Sequence, residues 1–280
     1  MPITHIVVLA LIQGITEFLP VSSSAHLIFP SQLLGWDDQG IAFDVAVHLG
    51  TLLAVVIYYI SDLYEITIHT IKSMITRKQT PQSRVGWFIV IGTIPAAVAG
   101  LLLEEFISTV GRSIHIIAYT TIGFGLLLGL ASYVNRKMNW HTKANLHNNR
   151  PDSLRKLNLA QTLVIGFSQA LALIPGTSRS GITMTAGLFL GMRPEAAARF
   201  SFLLSIPIIL ASALLECIKL VTSDVPGVAN PVEMLVGGII AFITALIVIA
   251  LFMRFISKSG MAVFVIYRIL LGFGLLYFLA

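Results

Sequence analysis

Long apolar stretches separated by short polar ones dominate the chain, at roughly residues 3–34, 41–60, 85–103, 113–134, 158–192, 200–220, 234–253 and 261–280. Several are close to the ~20 residues with which a helix crosses a bilayer. The pattern predicts an all-α polytopic membrane protein. Two stretches differ from the others. The first, about 3–34, is interrupted by Pro20-Val21-Ser22-Ser23-Ser24, and the fifth, about 158–192, by Pro175-Gly176-Thr177-Ser178-Arg179-Ser180. Backbone opened at membrane depth is tolerated only where protein buries it or where it lines a polar cavity. Both stretches are therefore expected to form re-entrant helix–loop–helix hairpins.

The polar interruptions also repeat. At an offset of 156, Gln13 matches Gln169, Ser22 matches Ser178, Ser24 matches Ser180 and Gly35 matches Gly191. Further on, Gly123-Phe124-Gly125-Leu126-Leu127 recurs as Gly272-Phe273-Gly274-Leu275-Leu276. Residues 1–134 and 158–280 then read as two halves, each a broken hairpin followed by three spans, joined by a polar linker at 135–157.

Composition agrees with lipid as the solvent: 56% of residues are hydrophobic and 11% charged, against about 25% charged in a soluble domain. The net charge of +5 raises the question of nucleic acid. The basic residues, however, sit in short loops between spans, where they orient a membrane protein, and a nucleic-acid partner is set aside. Lys72, Arg77, Lys78 and Arg84, then the linker cations Arg136, Lys137, Lys143, Arg150, Arg155 and Lys156, mark the cytoplasmic side. The turn holding Glu104 and Glu105 and the turn at 222–231 face outward. Three spans per half put both termini outside and give the halves opposite topology. Such inverted repeats hold their site near the midplane, where the broken helices meet. The apolar start lacks the basic residues and cleavage site of a signal peptide and is expected to be retained. Cys217 is expected to pack as a small hydrophobe.

Ionisable groups inside the apolar stretches narrow the search. A charge at the membrane centre costs about 2.5–3.5 kcal/mol, so Glu17 and Arg179 together forfeit roughly 6 kcal/mol. A structural role explains that cost poorly. Gln13 and Glu17 lie four apart and share a helix face. His26 falls in the first turn after the serine run, with Ser22 or Ser23 near the N-cap. In the second interruption, Gly176, Thr177, Ser178, Arg179 and Ser180 combine close backbone approach, hydroxyls and a fixed charge, a setting for an anion, and Thr183 follows one turn later. Asp44 and His48 share a face in the second stretch, where capping and packing explain them as well as a supporting role at a site does.

Gln13-Gly14-Ile15-Thr16-Glu17-Phe18-Leu19-Pro20-Val21-Ser22-Ser23-Ser24-Ala25-His26 and Pro175-Gly176-Thr177-Ser178-Arg179-Ser180-Gly181-Ile182-Thr183 resemble the two signatures of the undecaprenyl-diphosphate phosphatases. These are the bacitracin-resistance family of bacterial plasma (inner) membranes, and the resemblance covers essentially the whole chain. It implies hydrolysis of a polyprenyl diphosphate to recycle the lipid carrier of peptidoglycan synthesis, with access from the outer face. It also implies a divalent cation, Mg²⁺ or Ca²⁺. Gln13 and Glu17 fill the family's (Glu/Gln)-x-x-x-Glu motif and would hold that cation, with glutamine as a neutral ligand. Ala25 stands where the family often has glycine. In this reading Gly176, Thr177, Ser178, Arg179, Ser180 and Thr183 hold the diphosphate, and Glu17 neutralises or orients. His26 is a base towards Ser23, the nucleophile itself, or a base towards water; Ser23 activated by His26 is the preferred assignment. A secondary transporter or flippase of lipid-linked phosphate is the rival, and a homodimer is compatible with the sequence. The acid-phosphatase-like lipid phosphatases are excluded, because no His or Asp follows Ser178-Arg179 at their spacing.

Overall fold

The computed structural model describes residues 1–37, 39–103, 113–140, 154, 157–222 and 230–279. Glu104, Glu105 and the linker cations Lys143, Arg150, Arg155 and Lys156 lie outside the described residues. Among those described, the chain is helical without strands. Five helices are long and apolar enough to cross a membrane, and this is a membrane protein. The last helix, counted over the 17 residues Ala262–Phe278, falls just short of that length.

Both interrupted stretches fold as helix pairs. In the first, α1 (Ile3–Thr16) is followed by α2 (Ser23–Leu34). In the second, α7 (Leu159–Ala170) runs through a 3-10 turn at Leu171–Leu173 before α8 (Arg179–Phe189). Pro20 and Pro175 fall in the gaps, while Ser23 and Ser24 open α2 and Arg179 and Ser180 open α8. Between the pairs lie α3 (Ile41–Tyr58), α4 (Ile60–Thr76), α5 (Pro81–Leu102) and α6 (Ile114–Trp140). After the second pair come α9 (Pro194–Thr222), α10 (Pro231–Ser259) and α11 (Ala262–Leu279).

Two boundaries differ from expectation. Helix α4 was not foreseen, because its polar positions Asp62, Glu65, His69 and Lys72 dilute its hydropathy. One side packs on α5, where Trp87 Nε1 donates to Ser73 Oγ at 3.1 Å, and Asp62 pairs with Arg199 of α9 at 2.8 Å. Helix α6 continues to Trp140, into the segment read as linker. There Asn135 Nδ2 is buried and donates to the carbonyls of Leu188 and Met192 at 2.7 and 2.9 Å. That asparagine secures the end of α8, so the helix has a packing reason to extend.

The helices pack in matched sets. α1 lies on α10 as α7 lies on α5; α3 lies on α10 as α9 lies on α5; α3 meets α9, and α6 meets α11. The contacts are close. A Cβ at Gly50 would collide with the Gly238 backbone, and one at Gly166 with that of Gly92. Phe18, Phe202 and Phe252 lie in the central core, Phe18 meeting Phe202 edge-on at 5.3 Å. Large apolar side chains left exposed, among them Ile243, Ile247, Leu251, Leu270 and Phe273, are ordinary where the surrounding medium is lipid.

Candidate active site

The two interruptions meet. Each turn enters its second helix through a serine with positive φ, Ser22 at 73° and Ser178 at 68°, a conformation that non-glycine residues rarely hold. Each serine is the N-cap. Ser22 Oγ accepts from Ala25 N at 3.4 Å and Ser178 Oγ from Gly181 N at 3.2 Å, which satisfies an amide left over at the helix start. Each also meets the serine two residues on, Ser24 at 3.0 Å and Ser180 at 3.2 Å.

Reciprocal bonds stitch the turns together. Gly176 N donates to Ser24 Oγ at 3.2 Å, and Ser180 Oγ donates to the Leu19 carbonyl at 2.8 Å. Beneath them lies Arg268 of α11, fully buried. Its Nη1 donates to the Thr177 carbonyl at 2.9 Å and the Pro20 carbonyl at 3.4 Å, its Nη2 to Gly176 O at 2.9 Å, and its Nε to Thr121 O at 3.1 Å. Four backbone carbonyls thus cover one guanidinium, three of them from the two turns. Thr120 and Thr121 add hydroxyl bonds to the carbonyls of Pro175 and Gly176.

Across this frame Arg179 Nη2 reaches Glu17 Oε1 at 2.9 Å, with the two side chains 14% and 8% exposed. Glu17 Oε2 accepts from Gln13 Nε2 at 3.0 Å and Ser23 Oγ at 3.3 Å. The Arg179 guanidinium also stands 5.7 Å from the centre of the Phe18 ring, and its Nη1 reaches the Ser201 carbonyl at 3.4 Å. The charge pair is therefore held in place by both halves of the chain, which offsets part of its burial cost.

Glu17, Ser23, Ser178, Arg179 and Gly176 line a cavity of about 790 Å³. Its polar end holds these groups, and its walls include Leu173, Ile174, Ile208, Ile209 and Ala213. The lining extends along the first turns of α3, from Ile41 through Asp44 to His48, and along the later turns of α9 to Glu216 and Lys219. Glu216 and Lys219, near the far end, pair at 2.8 Å. An anionic head with a long apolar tail is the kind of ligand such a cavity fits.

Other candidates fall in different places. Ser180 and Thr183 are buried and act within the frame, Thr183 Oγ1 meeting Ser201 Oγ at 2.7 Å and the Arg179 carbonyl at 2.9 Å. Thr177 is buried with its hydroxyl unpaired among the described residues. His26 does sit in the first turn of α2, but its ring is not bonded to Ser23. Its Nδ1 meets the Ser22 carbonyl at 2.6 Å and its Nε2 the Tyr267 hydroxyl at 2.5 Å. His48 does reach the site: its Nδ1 donates to the Asp44 carbonyl at 2.7 Å, and its Nε2 lies 3.8 Å from Glu17 Oε2.

The model of one protein family, described as Bacitracin resistance protein BacA, matches residues 6–274 of this chain. The chain belongs to that family. Among its relatives, Undecaprenyl-diphosphatase 1 of Pseudoalteromonas translucida (strain TAC 125) is 50% identical over 279 residues, covering 100% of this chain and 99% of the relative. Undecaprenyl-diphosphatase of Hahella chejuensis (strain KCTC 2396) is 50% identical, covering 98% and 97%. The protein of that name from Chromohalobacter salexigens is 49% identical, covering 99% and 98%.

In this BacA-family chain the residues that sequence reasoning missed are Arg268 and Tyr267. A signal for the first was present, since Arg268 is an arginine in the middle of the last apolar stretch. Its partners are backbone carbonyls from distant segments, so no side-chain pattern announces them. Gln169 was seen as part of the repeat and not as part of the site, yet it lines the cavity.

Proposed function

We propose that this chain hydrolyses undecaprenyl diphosphate to undecaprenyl phosphate and inorganic phosphate, recycling the lipid carrier of cell-envelope synthesis and conferring bacitracin resistance. The observation that carries this reading is the Glu17–Arg179 pair, with Ser23 bonded to the same carboxylate, at the polar end of an apolar-walled cavity. Arg179 and the Ser178 and Gly176 turn hold the terminal phosphoryl group. A guanidinium suits its oxygens and the charge they develop. Ser23 Oγ attacks phosphorus, its proton passing to Glu17 Oε2, and the bond to the bridging oxygen breaks to release undecaprenyl phosphate. Water then attacks the phosphoserine, the proton on Glu17 returns to Ser23 Oγ as the ester bond breaks, and phosphate leaves carrying the protons of the water. His26 acts on Ser23 only after leaving Tyr267; with that bond intact it steadies the turn through the Ser22 carbonyl.

A divalent cation belongs to the same proposal. Gln13 is held to Glu17 by its Nε2, and its Oε1 is buried with no hydrogen-bond partner among the described residues. A carboxylate and an amide oxygen are hard donors suited to Mg²⁺ or Ca²⁺, of which Mg²⁺ in particular keeps several waters. When bound, the cation would offset the charge of the diphosphate.

We read the architecture as an inverted repeat of two halves, each a re-entrant hairpin with three spans, in the bacterial inner membrane. The equivalent serine caps and the matched packing of α1 and α3 with α10, and of α7 and α9 with α5, support it. So does the bond from the N-terminal amine to Glu233 at the start of α10, 2.7 Å long, since both were assigned outward by charge. The cavity wall of early α3 and late α9 lies on that outward side, which supports access from outside. A reporter fused after Ala280 should behave as periplasmic, and a cytoplasmic result would remove the inverted topology.

Phosphate release from undecaprenyl diphosphate in detergent tests the activity. Wild type should release phosphate, and Arg179→Ala should lose about a thousandfold or more in kcat/KM. A folded wild type that releases none, with Mg²⁺ or Ca²⁺ supplied, would instead favour transport of the lipid.

A further inference from the structure

Gln169 on α7 is 1% exposed, and neither end of its carboxamide has a hydrogen-bond partner among the described residues. A buried amide with both ends unpaired is costly, and such groups in a folded protein call for an explanation. Gln169 lines the same cavity as Glu17, Ser24, Gly176 and Arg179; its carboxamide is covered in this structure, and a turn of the side chain brings the amide to a ligand there.

Its counterpart in the first half shows what is missing. Gln13, 156 positions earlier, donates its Nε2 to Glu17 at 3.0 Å. The position equivalent to Glu17 is Leu173, which also lines the cavity and offers no acceptor. One glutamine is thus held by a carboxylate of its own half, while the other borders the anion-binding turn with its donors unused.

We propose that Gln169 is a substrate-binding residue, its Nε2 donating to a non-bridging oxygen of the diphosphate and its Oε1 accepting from a water bound to the same anion. The identity of the anion rests on the phosphatase reading; the existence of an anion contact does not. The amide adds a directed donor without adding charge. It complements Arg179, whose guanidinium supplies both the charge and a planar pair of donors.

The test uses the full chain in detergent, with Gln169→Leu and Gln169→Met compared with wild type. Inorganic pyrophosphate is the binding probe, read by the rise in unfolding temperature, and undecaprenyl diphosphate is the kinetic substrate. Both variants should unfold, without ligand, at or above the wild-type temperature, because an apolar side chain replaces an unpaired amide. Both should bind pyrophosphate about 10- to 100-fold more weakly, the effect of losing a hydrogen bond to a charged group, with KM for the lipid rising in parallel. Wild-type affinity and KM in both variants would overturn the proposal while leaving the phosphatase reading intact. Lowered unfolding temperatures in both without ligand would also overturn it, since the amide would then serve the fold. If wild type binds pyrophosphate but hydrolyses nothing, the phosphatase reading falls, and the binding comparison alone decides the role of Gln169.

Discussion

In the first broken helix pair Ser22 caps α2 at φ 73°, and in the second Ser178 caps α8 at φ 68°. The two turns share more than this strained cap. Ser24 and Ser180 stand two residues further on, each meeting its cap serine and each bonding across to the opposite turn. Gln13 and Gln169 are both buried one helix back. Between these retained positions the turns diverge: Glu17 corresponds to Leu173, and Ser23 to Arg179. The retained serines stitch the two turns into a frame, and the divergent Glu17, Ser23 and Arg179 are the groups proposed to carry the reaction. This division follows from the substrate. A diphosphate ester has one phosphoryl group to be attacked and one to depart, so a site with two identical faces would offer the same groups to both.

The comparison can be broken at the divergent positions first. Ser23→Ala should lower kcat about a thousandfold with little change in KM, because it removes a group used only in the chemical step. Arg179→Ala should damage KM as well as kcat. Rapid-quench and steady-state phosphate release on the two variants would separate these patterns; a rise in KM alone for Ser23→Ala would deprive that serine of its role as nucleophile.

Arg268 serves both turns at once, so it sharpens the comparison differently. Arg268→Met removes the guanidinium from the carbonyls of Pro20, Thr121, Gly176 and Thr177, of which Gly176 keeps its bond from Thr121 Oγ1. It should cost about 3 kcal/mol or more of stability, given the worth of hydrogen bonds to a charged group and the penalty for orphaned acceptors. Unfolding followed in detergent would measure it. A stability change near zero would show that the turns hold themselves in place.

The smallest effects belong to the retained caps. Ser22→Ala and Ser178→Ala should each cost about 1 kcal/mol, the ordinary worth of an N-cap side chain, and the two values should agree within a few tenths. A large disparity would mean that the matching geometry conceals different loads on the two turns.

Much of this frame was legible in the sequence, because it depends on local patterns. The proline and serine interruptions marked both turns, four-residue spacing put Gln13 beside Glu17, and the cost of two charges in apolar stretches marked Glu17 and Arg179 as functional positions. The bond between those charges is found at 2.9 Å. What stayed hidden depends on contacts distant in the chain. Arg268 bonds to backbone, which has no sequence signature, and His26 turns to Tyr267, 241 residues away. His48 could not be separated from a packing residue until α3 was seen to pass Glu17. Helix α4 escaped because its polar face lowers the average that marks a span.

The central claim is that one carboxylate and one guanidinium from opposite halves act together on the diphosphate. A double-mutant cycle of Glu17→Gln and Arg179→Lys on phosphate release tests it most directly, since both changes keep the side chains near their original size. The account predicts strong coupling, with the double variant losing far less than the product of the two single losses. Independent, multiplicative losses would contradict it, because Glu17 and Arg179 would then serve separate sites.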